Sequence, residues 1–288
     1  MIEFAKKYEE FYKKYIFQEL EMNDTKHSEA IKSFILKDKY LDRLNLWNDL
    51  KKSLNYTELS ILANPYYIGF GNPMANVLFV GKELGFNPSD DINLMFHESI
   101  QNTFQWSNLD LESDEIQTKN LGFDPRIPTA YDYGKRFHYR DSWGRYEAVL
   151  RQLITEENMV LNESEVIKNS VFNNCFLTER NHLPSKWTSN LRSSTERARL
   201  LQEDFFKEFK YYIIAGDTYE DRDAVASTFG FNNPSTEILI EEYGVKRKTR
   251  LVADLYADSS RKLLYLRFHL TGSKPRSFIS NIADCLKF

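Results

Sequence analysis

The chain has 288 residues, 42% hydrophobic and 28% charged, with a formal net charge of −4, an ordinary composition for a soluble globular protein and unlike that of a small, uniformly basic nucleic-acid binder. No apolar run nears the roughly 18 residues that a membrane span needs. The two cysteines, Cys175 and Cys285, stand far apart without a CxxC pattern, which points to a reducing, cytoplasmic setting and away from an iron–sulfur cluster or a structural zinc.

Aromatic residues make up 15% of the chain. Core packing accounts for most rings in any protein, and a surplus of this size leaves some that could stack on a ligand.

Residues 1–55 read as helical. Phe4, Tyr8, Phe11, Tyr12 and Tyr15 recur at three- and four-residue spacing with Lys and Glu between them, the pattern of an amphipathic helix. The segment lacks a cleavage pattern and is read as mature structure. Two or three helices here would form an extension over residues 1–60, packed on a main domain over residues 61–288.

The α/β body starts at a Gly/Pro-punctuated loop and a buried strand, Val77–Val80, which ends at Gly81 and releases Lys82, Glu83 and Gly85. The segment from Phe86 to Arg140 is rich in Asp, Asn and Pro, with a helix possible over Ile92–Phe104. An irregular stretch of this length reads as a functional lid or insertion. A helix follows over Arg145–Thr155, its apolar face formed by Tyr146, Val149, Leu150 and Leu153.

Three more strands are expected: Ser170–Leu177, Tyr211–Ala215 and Leu263–His269. Helices are expected at Ser194–Phe209, Arg222–Phe229 and Pro275–Leu286, with a hairpin around Ile238–Tyr256. Alternating strands and helices predict a three-layer α/β/α domain on a central, mostly parallel four-stranded sheet. Lys246–Arg250 (KRKTR) reads as a solvated hairpin turn, with DNA contact as the alternative. Arg192, Arg197 and Arg199 read as helix-surface charges paired with nearby Glu, and Asp217 as a helix N-cap.

Each main strand ends in polar residues: Glu83, then Asn173 and Asn174, then Asp217 and Thr218, then His269. In open α/β sheets ligands collect at the carboxyl ends of the strands. An amide can read an imide or amide edge, an imidazole can stabilise a leaving anion, and a carboxylate can place water or stabilise a cation. Such a set suits cleavage of an N-glycosidic bond, whose transition state has oxocarbenium character.

These blocks resemble the uracil-DNA glycosylase superfamily. GNPMANVLFVGKELG is similar to its first motif, a GNPxAxVxFVGEAPG-like stretch, or GQDPY in another branch, that forms the water-activating loop. VFNNCFLTERNHLP resembles the second strand, which reads LLLNAVLT in one branch. YYIIAGDTYE falls at the third strand, and RFHLTGSKPRSF at the HPS loop before the last helix. The resemblance covers residues 64 to 288 and leaves out the N-terminal helices and an insertion at about 86–140.

The resemblance implies a metal-independent monofunctional DNA glycosylase without cofactors, acting on a flipped uracil-like or modified base. It implies DNA as partner; no membrane or metal is expected, and a monomer is favoured with the oligomeric state left open. Glu83 takes the place of the Asp in GQDPY, as the residue that orients water or stabilises the cation. Lys82 stands where GEAPG has Glu, as a phosphate or leaving-group contact, and Leu84 replaces the proline. Asn174, with Asn173 beside it, matches the asparagine that reads the base. His269 matches the histidine of HPS and would stabilise the departing anion, while Leu270 and Thr271 replace the proline and serine. Thr271, Ser273, Lys274 and Arg276 would hold phosphates. Trp143 and Phe86 are candidates for the stacking ring, with Phe96 and Phe137 as rivals. Two other readings keep the fold: an inactive nucleic-acid-binding module, and a hydrolase of free nucleosides or nucleotides.

Overall fold

A computed structural model describes residues 14, 66–81, 102, 103, 106, 142–156, 172, 174–181, 195–216, 221–245, 248–270 and 274–287. Of the expected N-terminal helices only Lys14, which is helical, falls among them. The chain divides into two compact units, one made of Met1–Gly69, Glu83–Ala130 and Glu179–Leu200, the other of Phe70–Lys82, Tyr131–Thr178 and Leu201–Phe288.

In the first unit a polar clamp fixes the backbone ahead of the sheet. Asn102 accepts from the Ile68 and Gly69 amides at 2.8 and 3.0 Å and donates to the Gly69 carbonyl at 2.8 Å. Trp106 Nε1 donates to the same carbonyl, and the Thr103 hydroxyl to that of Tyr66, both at 2.8 Å. Arg197 is not the surface charge that the helical pattern suggests. It is fully buried, donates to the main-chain carbonyls of Tyr67 and Glu179, and lies over the Tyr67 ring. Burial pushes its guanidinium down to about 10, so it stays charged at neutral pH.

Among the described residues the second unit holds a mixed sheet of seven strands, where four, mostly parallel, were expected. They are β1 Phe70–Gly71, β2 Val77–Gly81, β3 Cys175–Glu179, β4 Tyr211–Ala215, β5 Thr236–Tyr243, β6 Thr249–Ala257 and β7 Lys262–Leu266, in the order β1-β3-β2-β4-β7-β6-β5. The last residue of β3 belongs to the first unit. β2, β4 and β7 are parallel, whereas β1 with β3, β5 with β6 and β6 with β7 are antiparallel. The difference has one main cause. The hairpin anticipated around Ile238–Tyr256 does not lie apart from the sheet but pairs with β7 through β6 and extends it.

Registers set the two faces, because side chains alternate along a strand. Tyr212, Leu263 and Tyr256 stand in one row. On that face the Tyr256 hydroxyl donates to Asp223 at 2.7 Å, in helix α3 (Arg222–Thr228). Tyr212 there packs edge-on against Phe231 and Phe209. On the other face Phe79, level with Ile213 and Leu264, stacks on Tyr146 with centroids 4.4 Å apart. Tyr146 belongs to helix α1 (Ser142–Glu156). Helix α4 (Ser277–Leu286) shares this face and buries Phe278, Ile279, Ile282, Ala283 and Leu286.

Among the described residues the aromatic side chains go mostly inward. Phe176, Phe205, Phe206 and Phe209 form a ring cluster, and the exposed large hydrophobics among the described residues are Met74, Leu239 and Val245, none of them aromatic. Helix α2 is shorter than expected, Thr195–Leu201. Extended backbone at Glu203 (ψ 149°) interrupts it before a 3-10 turn at Asp204–Lys207.

Gly71 fixes how the chain enters the sheet. Its φ of +103° favours glycine, and a Cβ there would lie 2.3 Å from the Cys175 carbonyl oxygen. Gly71→Ala combines left-handed strain with a backbone clash and should cost about 3 kcal/mol. For a chain of this size that is a fall of roughly 10 °C in thermal midpoint. An unchanged midpoint by calorimetry would contradict this reading.

Candidate functional site

Because β2, β4 and β7 are parallel, their ends form one edge. Val80 is level with Ile214, Ile214 with Tyr265, and Ala215 with Leu266. The residues that leave this edge are Gly81, Gly216 and the run Arg267–Leu270. From β2 the chain adds β3 on one side and β4 on the other. That reversal makes the β2 end a topological switch point, the place where open α/β sheets bind ligands.

Gly216 is required by packing. Its amide donates to the Leu266 carbonyl at 2.9 Å, and a Cβ would lie 2.4 Å from the Tyr265 ring and 2.6 Å from that carbonyl oxygen. The exits of β4 and β7 are thereby held against each other.

His269 is exposed, three residues past the end of β7. Its loop starts from a firm anchor. Asp254, on β6, is buried at 1% exposure. It accepts from Arg267 Nε at 2.7 Å and also from the Arg267 terminal nitrogen, and from Arg222 at 2.7 Å. Arg267 bridges on to Glu237 at 2.9 Å, and its amide donates to the Val252 carbonyl at 3.0 Å. Burial alone would raise the Asp254 carboxyl. The hydrogen bonds from Arg267 and Arg222 outweigh it and hold the group below the usual carboxylate range.

Two cations converge beside this loop. Arg145 of α1 is buried at 2% exposure, with its guanidinium carbon 5.0 Å from the centre of the Phe278 ring. Lys274 Nζ lies 5.9 Å over the Phe268 ring, and the two rings meet edge-on at 6.3 Å. Burial, and then the charge of Arg145, push the Lys274 ammonium down. Arg145 was missed in the sequence as a site residue. Its four-residue spacing from Val149, and Val149's from Leu153, was the available signal that it lies on the buried stripe. Arg276, at the N-cap of α4, is exposed.

Asn174 goes elsewhere. It is buried at 8% exposure and precedes β3 instead of ending it, because the strand runs Cys175–Glu179 and not Ser170–Leu177. The Asn72 amide donates to the carbonyls of Phe172 and Cys175, and the Asn76 carbonyl accepts from Lys210 and Tyr211. Residues 72–76 thus join the start of β3 to the starts of β2 and β4. Asn174 belongs to the amino edge of the sheet, while His269 belongs to the carboxyl edge. Five-residue strands put about 16 Å between those edges, so the expected convergence of the two does not form.

Trp143 has its backbone in the first turn of α1, not before the helix; its side chain lies outside the described residues. Lys82, Glu83, Phe86, Phe96, Phe137, Asn173, Asp217, Thr218, Thr271 and Ser273 also lie outside them. The described N-cap of α3 is Asp221, whose carboxylate accepts from the Asp223 and Ala224 amides. Cys175 is buried and Cys285 half-buried, and burial pushes both thiols up. Among the described residues no helix is long and apolar enough to cross a membrane.

Asp254→Asn should destabilise the protein by about 3 kcal/mol, since it leaves two arginines facing a neutral, buried group. The wild-type carboxyl is depressed by folding, so its contribution is present at neutral pH and lost as pH falls through its folded value. Urea midpoints measured from pH 7 to pH 3 should fall less steeply in the variant; equal slopes would contradict the assignment. No family model, curated protein or solved structure matches the chain.

Proposed function

We propose that the protein is a DNA glycosylase that hydrolyses the N-glycosidic bond of a flipped, uracil-like or modified base, on an α/β/α scaffold of the uracil-DNA glycosylase type. The observation that carries the reading is the shared edge. The strand of the GNPMANVLFVGKELG block and the strand of the RFHLTGSKPRSF block are parallel and separated only by β4, so both blocks leave the sheet on the same side.

In this reading the extruded nucleotide sits at the carboxyl edge. The C1′–N bond breaks with its electron pair leaving on the base, and the sugar becomes oxocarbenium-like. His269 stabilises the departing anion, and Glu83 orients the water that adds to C1′ or offsets the cation. Lys274, flanked by the charge of Arg145, holds a phosphate beside the extruded nucleotide, with Arg276, Thr271, Ser273 and Lys82 as further contacts. Asn174 takes no part, because it stands at the amino edge, so the amide that reads the base must come from another residue.

The test is incubation with labelled duplexes containing uracil, hypoxanthine, xanthine or modified pyrimidines, followed by alkali. Strand cleavage at the altered base is expected on at least one, and intact strands on all would reject the reading. On the active substrate Glu83→Gln and His269→Ala should each slow the single-turnover rate by about 10²- to 10⁴-fold with DNA binding kept. Asn174→Ser should leave that rate within a few-fold. A large loss in Asn174→Ser with full activity in His269→Ala would move the site to the opposite edge.

A further inference from the structure

The hairpin that enlarges the sheet also reaches past it. Only Ala253–Ala257 of β6 pair with β7, and Ala253 is level with Leu266, the last residue of β7. Val252 is still bonded to the chain leaving β7, through the Arg267 amide, and Thr249–Leu251 pair with β5 alone. Because β6 is antiparallel to β7, this outer part projects from the carboxyl edge, the edge that His269 leaves, with Leu251 buried at its root. Three residues at about 3.4 Å each carry it about 10 Å past that support, before the turn is counted. β6 stands two strand spacings from β4, about 10 Å.

The base of this projection is braced. Asn281 Nδ2 donates to the Ile240 carbonyl at 2.7 Å and to Glu241 at 3.1 Å, and Arg267 ties Glu237 to Asp254. The register shifts between Leu239 and Glu241, a bulge that raises local twist and spoils the outer edge as a template for another strand. The far end is different in character. Gly244 turns with φ +103°, Val245 is 99% exposed, and Lys248, Thr249 and Arg250 are exposed. Lys248 pairs with Glu242 at 2.9 Å and Arg250 lies 4.0 Å from it, two cations on one carboxylate. Lys246 and Arg247 add two more positive charges to the sequence of the turn.

A stiff, cationic projection with an apolar tip, overhanging a strand-end site on a chain of net charge −4, fits a polyanion better than a protein surface. From this geometry we infer that the β5–β6 hairpin is a DNA arm. Lys248 and Arg250 contact phosphates of the duplex flanking the nucleotide at the carboxyl edge, and Val245 rests against its base stack, as apolar wedges do in distorted duplexes. The inference rests on the glycosylase reading for its placement of the nucleotide.

Its test uses the full chain and a fluorescent 20-base-pair duplex, with anisotropy titrations at several salt concentrations. Lys248→Gln/Arg250→Gln should bind roughly tenfold more weakly and lower the slope of log affinity against log salt by about 2. Val245→Asp should weaken binding several-fold. Thr249→Arg, a gain of charge at an exposed position, should tighten binding and steepen the slope by about 1. The side chains are exposed, so unfolding midpoints should stay within about 2 °C of wild type. Unchanged affinity and slope in all three variants, or a wild-type protein that binds no duplex, would overturn the arm. The glycosylase reading fails separately: salt-sensitive binding through the hairpin without strand cleavage on any substrate would leave the arm standing and remove the enzyme.

Discussion

The parallel ladder of β2, β4 and β7 is the constraint on which the rest depends. Val77–Val80 are level with Tyr211–Ile214, and Tyr211–Ala215 with Lys262–Leu266. All the hydrophobic side chains in those strands up to Ile214 and Leu266 are buried, as expected for strands covered on both faces. Parallel strands cannot be joined by tight turns, so each return must be a long crossover. That requirement sends the loops after β2, β4 and β7 out of one edge. Gly216, pressed against Tyr265 and the Leu266 carbonyl, keeps two of these exits together.

The antiparallel half of the sheet does a different job. It cannot contribute a strand end in the same sense, because β6 runs against β7. It supplies a platform instead. Asp254 collects Arg222 and Arg267, and Arg267 is two residues ahead of His269. A buried carboxylate thus fixes both the root of the loop at the carboxyl edge and, through Glu237, the root of the hairpin. Loop and projecting arm share one electrostatic anchor.

Much of the scaffold was legible in the sequence. Continuous apolar runs gave β2 and β4, and β4 appears with the bounds expected, because a buried parallel strand leaves a run flanked by breakers. The apolar spacing of Val149 and Leu153 gave α1. The limits of β3 were not legible: VFNNCFLTE has apolar residues on both sides of the asparagines, and only the bonds from the Asn72 amide to Phe172 and Cys175 decide that the strand starts after them. That five-residue shift in the start of the strand moved Asn174 from one end of the sheet to the other. Arg197 misled, and Arg145 was passed over, for a related reason. An arginine at a helical spacing looks solvated unless one knows that main-chain carbonyls or aromatic rings wait for it, and those partners are 130 and 133 residues away in the chain for Tyr67 and Phe278. The overhang of the hairpin follows from a register between strands, which no local pattern encodes.

The account stands on the carboxyl edge as the working edge. Amide hydrogen exchange of the full chain, with and without a duplex carrying a non-cleavable analogue of the excised nucleotide, tests this most directly. Slowed exchange is predicted over residues 249–252 and 267–270, with residues 72–76 and 174–176 unchanged. Protection confined to the amino edge around Asn72 and Asn174, or no protection at the carboxyl edge at saturating duplex, would contradict it.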